Sequence, residues 1–426
     1  MARRRNPFEL GRFEESFTRY MAEFDTDKWA QALDGVTFRT ASAPLSWDEG
    51  LAIMHHYQEG CCGMHGRVTL ADRLSLDSLR LRLTGLMHTL GCKSFFVRLG
   101  ARSPKDAPSM PSQWVPKAKI RDALASARRP DTSDAFAVLR LFQETSASLL
   151  RVHTAADAIA LLLSSERVFE DIIHTMDHGA EGWAMSLVVR EWDEDVRMQH
   201  EYRGFICAGQ LTALSQYDDQ LGYAIERPRE VLARAQSCFT RVLPSLQALG
   251  FDACCVIDFL IVPPASGATD STSSKHDCAP EGGWKTAVIE LNPFGPMTGA
   301  SLFRWDVDRR ILQGGIDAFG DLASCEARWR SEAEGALPAG MVEFTENGTT
   351  MRHLTCHPLG LTWERLEVFW GPYFELLKEI GWRPAKTGTQ SVQPTPGCQF
   401  HSSERQTGVG VPLAAGNGSP RDIGRS

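Results

Sequence analysis

Lys285-Thr286-Ala287-Val288-Ile289-Glu290-Leu291-Asn292-Pro293-Phe294-Gly295 sets an apolar, partly β-branched run directly before an acid and an amide. In an extended chain, side chains two apart share a face, so Glu290 and Asn292 point one way while Leu291 points the other, into a core. Two oxygen ligands on one face suit magnesium, which is held by one or two carboxylates and keeps several waters. An earlier run, Cys255 to Val262, carries Asp258 in the same fashion. Taken alone, the first segment reads equally as a charged strand end closed by an Asn-Pro turn, and Asp258 as a turn-capping carboxylate. The surrounding chain has to decide.

Outward from these two runs, alternation predicts strands over Trp183 to Trp192, Tyr202 to Ile206 and Gln210 to Gln216. Pro228 to Leu249 reads as a helix, with proline in its first turn and Gly250 just past its end. Leucines at 70, 74, 76, 79, 81, 83, 86 and 90 predict an amphipathic helix through most of Leu70 to Leu90. Ser94 to Leu99 reads as a strand that runs into the polar turn Gly100 to Ala107, a favoured place for ligand contacts. Val36 to Phe38 and Ala43 to Trp47 read as a short strand and a loop, and residues 134 to 172 as mainly helical. The spacing of Phe8, Phe13, Phe17 and Met21 gives residues 1–28 a helical extension. Residues 263–283 are rich in Ser, Thr, Gly and Pro and read as a mobile insertion, and residues 386–426 as a disordered tail. The chain divides into 29–186, 187–330 with a hinge near 190–192, and a helical segment over 331–385.

A chain of 426 residues with 43% hydrophobic residues has room for two or three lobes around sizeable cores. Its net charge of −8 does not argue for a nucleic-acid surface, and no direct nucleic-acid partner is expected. No apolar run approaches the ~18 residues of a membrane span. The basic start, Arg3-Arg4-Arg5, lacks an apolar signal core, so a cytoplasmic location is expected. Eleven cysteines without a CxxC fit free thiols in a reducing compartment.

Four segments carry the chemistry together. They are Phe96-Val97-Arg98-Leu99 with Ser103-Pro104-Lys105-Asp106-Ala107; Leu187-Val188-Val189-Arg190-Glu191-Trp192; Glu201-Tyr202-Arg203-Gly204-Phe205-Ile206 with Ser215-Gln216; and Asp258 with Glu290 to Gly295 and Ser301-Leu302-Phe303-Arg304-Trp305. In order and approximate spacing they resemble the cell division cycle protein 123 family, over roughly residues 29 to 310. The resemblance implies an α+β fold of ATP-grasp type, two lobes with a nucleotide cleft between them. It also implies ATP and Mg²⁺ as ligands, and an assembly chaperone that grips the gamma subunit of eukaryotic translation initiation factor two.

Residue by residue, the resemblance assigns phosphate contacts to Arg98, where the family usually has lysine, and to Ser103 and Lys105 in the polar turn. Arg190, Glu191 and Trp192 match a hinge strand whose backbone would bond adenine edges; the family tends to have lysine at the Glu191 position. Arg203 would meet the terminal phosphates with Glu201 orienting it, a bidentate guanidinium being well suited to phosphate charge. Asp258, Glu290 and Asn292 would carry the magnesium, with Glu290 at a position where the family usually has aspartate. A diverged ATP-grasp ligase that activates a carboxylate as an acyl phosphate would need the same residues.

Two other signals are weaker. His55, His56, Cys61, Cys62 and His65 crowd together, but their spacing matches no familiar zinc module. There is no GxxxxGK[ST], which argues against a P-loop nucleotide site.

Overall fold

The computed structural model describes residues 20–382 apart from 110–111, 132–133, 224, 226, 265–282, 316–324, 331–340, 347–348 and 355–362. The insertion and tail expected from composition, and most of the N-terminal extension, lie outside the described residues.

The chain is α+β, as the resemblance implies, with two sheets among the described residues. The smaller is antiparallel, in the order β1 (Thr40–Pro44), β3 (Ser186–Glu191), β2 (Phe95–Leu99). The larger has seven strands: β7 (Lys285–Asn292), β6 (Cys254–Val262), β4 (Glu201–Cys207), β5 (Gln210–Gln216), β8 (Glu326–Arg330), β10 (Thr349–Leu354) and β9 (Met341–Glu346), in that order. From β7 to β5 the neighbours are antiparallel; β8 then pairs parallel with both β5 and β10.

Helices are numbered here where they run eight residues or more. α1 (Trp47–Gly60), α2 (Leu70–Leu90), α3 (Lys117–Ser126), α4 (Ala135–Ser148), α5 (Ala155–Ser164) and α6 (Glu166–Met176) share a core with the small sheet, and α8 (Trp363–Glu379) packs into it through Leu366, Tyr373 and Phe374. α7 (Pro228–Leu249) covers one face of the large sheet. The ends follow local chemistry. α2 starts at a Thr69–Asp72 capping box and stops at Gly91 with φ 61°, while α7 opens on Pro228 and stops at Gly250 with φ 74°.

The period-two pattern of the large sheet separates two environments. Tyr202, Ile206, Ile257, Phe259, Leu291 and Val288 pack with Val231, Ala235, Phe239 and Leu246 of α7. Alternate residues on the same strands, Arg203, Asp258 and Glu290, face the other way, and Leu291 points into the core as its place in the sequence requires. A bulge between Asp258 and Phe259 keeps Glu290 opposite Asp258.

Residues 24–38 run between the two sheets. Phe24, Trp29 and Leu33 join the α7 core, the Thr26 amide donates to the Gly100 carbonyl, and Thr37 makes an isolated bridge with Val288.

The structure departs from the sequence reading in four places. The first small-sheet strand is Thr40–Pro44 rather than Val36 to Phe38, because the Thr37 backbone is engaged with β7. The loop expected to reach Trp47 opens a fourteen-residue helix at that residue, held by a Ser46–Glu49 capping box that was legible as S-x-x-E. Residues 187–191, which the sequence groups with the second lobe, form most of β3, the central strand of the small sheet. Within 331–385, expected to be helical, β9 and β10 precede α8, because both add to the edge of the large sheet through β8.

Gly204 in β4 marks how closely this sheet is packed. A Cβ there would stand 2.8 Å from a ring carbon of Phe259 and 2.9 Å from Leu211. Gly204→Ala is therefore expected to lower stability by about 1–3 kcal/mol in urea unfolding, the usual cost of overpacking. An unchanged midpoint would show that these neighbours yield freely.

Candidate functional site

Strand register alone lines up three charged residues. Arg203 of β4 stands opposite Asp258 of β6, and Asp258 stands opposite Glu290 of β7. The Arg203 guanidinium pairs with both Asp258 oxygens at 2.8 Å, donates to the Gly299 carbonyl at 2.6 Å, and lies 4.7 Å over the Tyr217 ring. The Asn292 amide donates to Asp258 Oδ2 at 3.1 Å.

The small sheet supplies the partner for Glu290. Arg98, only 3% exposed, reaches from β2 to Glu290 Oε1 at 2.6 Å. Its remaining donors go to the carbonyls of Leu99 (3.0 Å) and Ala101 (2.7 Å), so the same side chain shapes the start of the polar turn. That turn is pinned at its far end to the start of α6. Asp106 accepts from the Ser165 hydroxyl at 2.6 Å and the Arg167 amide, and the Ser103 carbonyl accepts from Arg167 Nε at 3.0 Å. Lys105 stands at its exposed apex, with Nζ 3.3 Å from the Tyr217 hydroxyl.

Burial and charge act against one another in this group. Burial would raise the Glu290 carboxyl, but Arg98 first, then Lys105 and Arg203, hold it below the ordinary range. Burial would lower Arg203, and Asp258 overcomes that and raises it. Asp258 is raised by burial against the pull of Arg203. Glu201, two residues before Arg203 on the same face, is pushed up to about 7 by burial and then by the Asp258 charge. Arg203 takes its orientation from Asp258, Gly299 and Tyr217, where the sequence reading had given that role to Glu201.

The three hinge residues sit differently. The Arg190 guanidinium, also 3% exposed, lies between the rings of Trp29 and Phe38 and donates to Ile289 O and Thr37 Oγ1, both at 2.6 Å. Burial pulls it down to about 9. The Glu191 side chain pairs with Arg39 at 2.8 and 3.0 Å, which balances an acid where the family tends to place a base. The Glu191 and Trp192 amides, expected to face adenine, already donate to the carbonyls of Arg39 and Ser94 within the small sheet. Among the described residues the buried Trp192 indole N–H has no hydrogen-bond partner.

The fold thus brings Arg98, Lys105, Glu201, Arg203, Asp258, Glu290 and Asn292 together, holds Ser103 by its backbone, and uses the Arg190 and Glu191 side chains as struts. Sequence reasoning missed Tyr217, Gly299 and Arg167. Tyr217 was within reach, since it follows the quoted Ser215-Gln216 directly, whereas the other two carry no local signal. Among the described residues no three His, Cys, Asp or Glu side chains are grouped to hold a metal. The crowded His/Cys stretch disperses: His55 meets Asp72, His56 the Ala52 carbonyl and Cys61 the Leu163 carbonyl.

The family model D123 matches residues 142–314, a span that includes every candidate residue except the three before α3. The family resemblance read in the sequence is borne out over that stretch. No curated protein matches the chain. Among solved structures, Cdc123 from Schizosaccharomyces pombe is similar, at 18% identity and a TM-score of 0.43, over 69% of this chain and 91% of that one. Its C-terminally truncated form matches with the same identity and coverage and a TM-score of 0.44. A D-cycloserine synthetase, DcsG, shares 12% identity with a TM-score of 0.28, over 70% of each chain. No helix among the described residues is long and apolar enough to cross a membrane.

Glu201 offers a test by pH. Its native pKa, about 7, lies above its ordinary 4.5, so the folded state binds the proton more tightly. The stability this gives is full below about pH 4.5 and is lost as pH rises through 7. Glu201→Gln cannot lose it. Relative to wild type, the variant should gain on the order of 1–3 kcal/mol between pH 5 and pH 8 in urea unfolding. Asp25, raised to about 7 by burial and Asp27, contributes equally to both proteins and cancels. Parallel stability profiles would show that Glu201 is solvated at this site.

Proposed function

We propose that the protein binds ATP with magnesium between its two sheets, in an ATP-grasp arrangement, and serves as an assembly chaperone for a protein client. The gamma subunit of translation initiation factor two is the client that the family resemblance implies. The observation that carries this reading is the Arg203–Asp258–Glu290 row, closed from the small sheet by Arg98 and overhung by Lys105. Buried charges are costly unless paired, and a fold that gathers this many of both signs at the junction of two sheets has the composition of a phosphate and cation seat.

Magnesium would draw on two carboxylates on directly opposed residues, and on the Asn292 side chain, whose amide nitrogen donates to Asp258 in this structure and whose oxygen is the atom a cation would take. Asp258, Glu290 and Asn292 would hold the ion, which when bound supplies charge neutralisation between phosphate oxygens. Each carboxylate is meanwhile neutralised by an arginine. Loading would release Arg203 and Arg98 toward phosphate oxygens, for which a planar guanidinium is well shaped. Lys105 makes no ion pair among the described residues and is the cation most available to an incoming phosphate. The indole N–H of Trp192, just past β3 and without a hydrogen-bond partner among the described residues, is a donor suited to the base.

The same pairs decide which substitutions are informative. Asp258→Ala would strand the buried Arg203 guanidinium, a change that costs about 3–5 kcal/mol before any ligand is considered. Lys105→Ala avoids this, because the side chain is exposed. It is expected to leave unliganded stability within about 0.5 kcal/mol and to weaken ATP by roughly tenfold or more, the loss of one charge-assisted hydrogen bond. Adenosine affinity should not change. In wild type, ATP with magnesium at a hundredfold excess over Kd should add about 2.7 kcal/mol of stability, and ATP alone distinctly less. Melting that ignores both ligands would overturn the nucleotide reading. Capture from the source cell, read beside ATP consumption, tests the client: recovery of the gamma subunit without turnover is the expected outcome.

A further inference from the structure

Four residues beyond Arg203 and four before Asp258, the strands β4 and β6 carry a second matched pair on the same face. Arg203 stands opposite Asp258, Phe205 opposite Val256, and Cys207 opposite Cys254. The two thiol sulfurs are 3.2 Å apart. Directly opposed residues of antiparallel strands have Cα separations near 4.5–5.5 Å, inside the window of about 4.4–6.8 Å that a disulfide requires.

The turn beyond the pair holds it in register. Ala208 and Gly209 take φ values of 50° and 76°, and their amides donate to the carbonyls of Ala253 and Asp252, both at 2.8 Å. Cys207 and Cys254 are each partly exposed, whereas the next residue, Cys255, is buried on the α7 side of the sheet. Other described cysteines are separate from this pair: Cys238 and Cys325 are buried in the α7 core, and Cys61 and Cys62 lie at the end of α1.

We propose that Cys207 and Cys254 form a reversible thiol–disulfide couple, oxidised by a low-molecular-weight disulfide such as oxidised glutathione. In the first step the Cys207 thiolate attacks one glutathione sulfur. The glutathione S–S bond breaks, and one glutathione leaves as a thiol carrying the proton that Cys207 gave up. In the second step Cys254, deprotonated, attacks the Cys207 sulfur of the mixed disulfide and displaces the second glutathione as a thiol. Two protein thiols are oxidised and one glutathione disulfide is reduced to two thiols, so electrons and protons balance.

The roles of the two sulfurs follow from their surroundings. Cys207 is held below the usual thiol range by the hydrogen bond from Cys254 and by the Ala208 amide, while Cys254 is raised by that same contact and by burial. The sulfur with more thiolate character attacks first, and its neighbour resolves. The bond would tie together the two strands that present Arg203 and Asp258, with Phe205, whose ring meets those of Phe294 and Trp305, at the register position midway between the couple and the ion pair.

The test incubates the full-length reduced protein with oxidised glutathione, alkylates the remaining thiols and maps the peptides by mass spectrometry. The expected product is a peptide pair joined through Cys207 and Cys254, lost on treatment with dithiothreitol. Cys254→Ser should stop at a persistent glutathione adduct on Cys207. Separate, lasting adducts on both residues of wild type, cross-links confined to other cysteines, or full alkylation of both after oxidation would each overturn the proposal. Because the wild-type map is sufficient, the result does not depend on the variant folding.

Discussion

A carboxylate drawn mostly out of solvent gains from a cation, and Glu290, with a quarter of its side chain exposed, finds its partner on the other sheet. Arg98 crosses from β2 to Glu290 at 2.6 Å, and the rest of the site is arranged around that contact. The same guanidinium bonds the Leu99 and Ala101 carbonyls, so the ion pair also sets the path of the turn that presents Ser103 and Lys105. Arg190 repeats the device one strand away, tying β3 to the Ile289 carbonyl and to Thr37. Arg98 to Glu290 and Arg190 to the Ile289 carbonyl thus cross between the small and large sheets, and Lys285 of β7 pairs with Asp193 and Asp195 just past β3. Such a junction is strong only while every donor is satisfied, since leaving one partner unpaired costs several kcal/mol.

This junction links stability to ligand chemistry. An apolar seam would hold the sheets together without offering anything to a charged ligand. A seam made of Arg98, Arg203, Asp258 and Glu290 presents both signs of charge at hydrogen-bonding distance, and each pair could be replaced by a pairing with phosphate or a divalent cation. The α7 side of the same sheet shows the contrast, since Ile257, Phe259, Leu291 and Phe239 form an ordinary apolar core there. One strand serves both purposes because its side chains alternate.

How much of this was legible in the sequence depends on how local each signal is. The strands from 186 to 216, the long helices Leu70–Leu90 and Pro228–Leu249, and the opposite facing of Leu291 and Glu290 follow from periodicity and end residues within a short window. The gathering of Arg98, Arg203, Asp258 and Glu290 came from the order of motifs rather than from any single segment. What the sequence withheld is partner choice. Nothing local says that Arg98 is spent on Glu290 and two carbonyls, that Arg190 is sandwiched between Trp29 and Phe38, or that the amides of Glu191 and Trp192 are used inside the small sheet. Apart from the Leu99 and Ala101 carbonyls beside Arg98, those contacts join residues many tens of positions apart, so they are set by the assembled fold. The missed helix at Trp47 is a different kind of miss, because its Ser46-x-x-Glu49 cap was on the page.

The claim that the two sheets are held by a specific charge pair is tested most directly by a double-mutant cycle on Arg98 and Glu290. Arg98→Met, Glu290→Gln and the double variant would be compared with wild type by urea unfolding at low salt. If the pair is the junction, each single change leaves the other member unpaired and the second change adds little, giving a coupling of about 2 kcal/mol or more. Effects that simply add, within about 0.5 kcal/mol, would contradict the account and show that this pair does not couple the sheets.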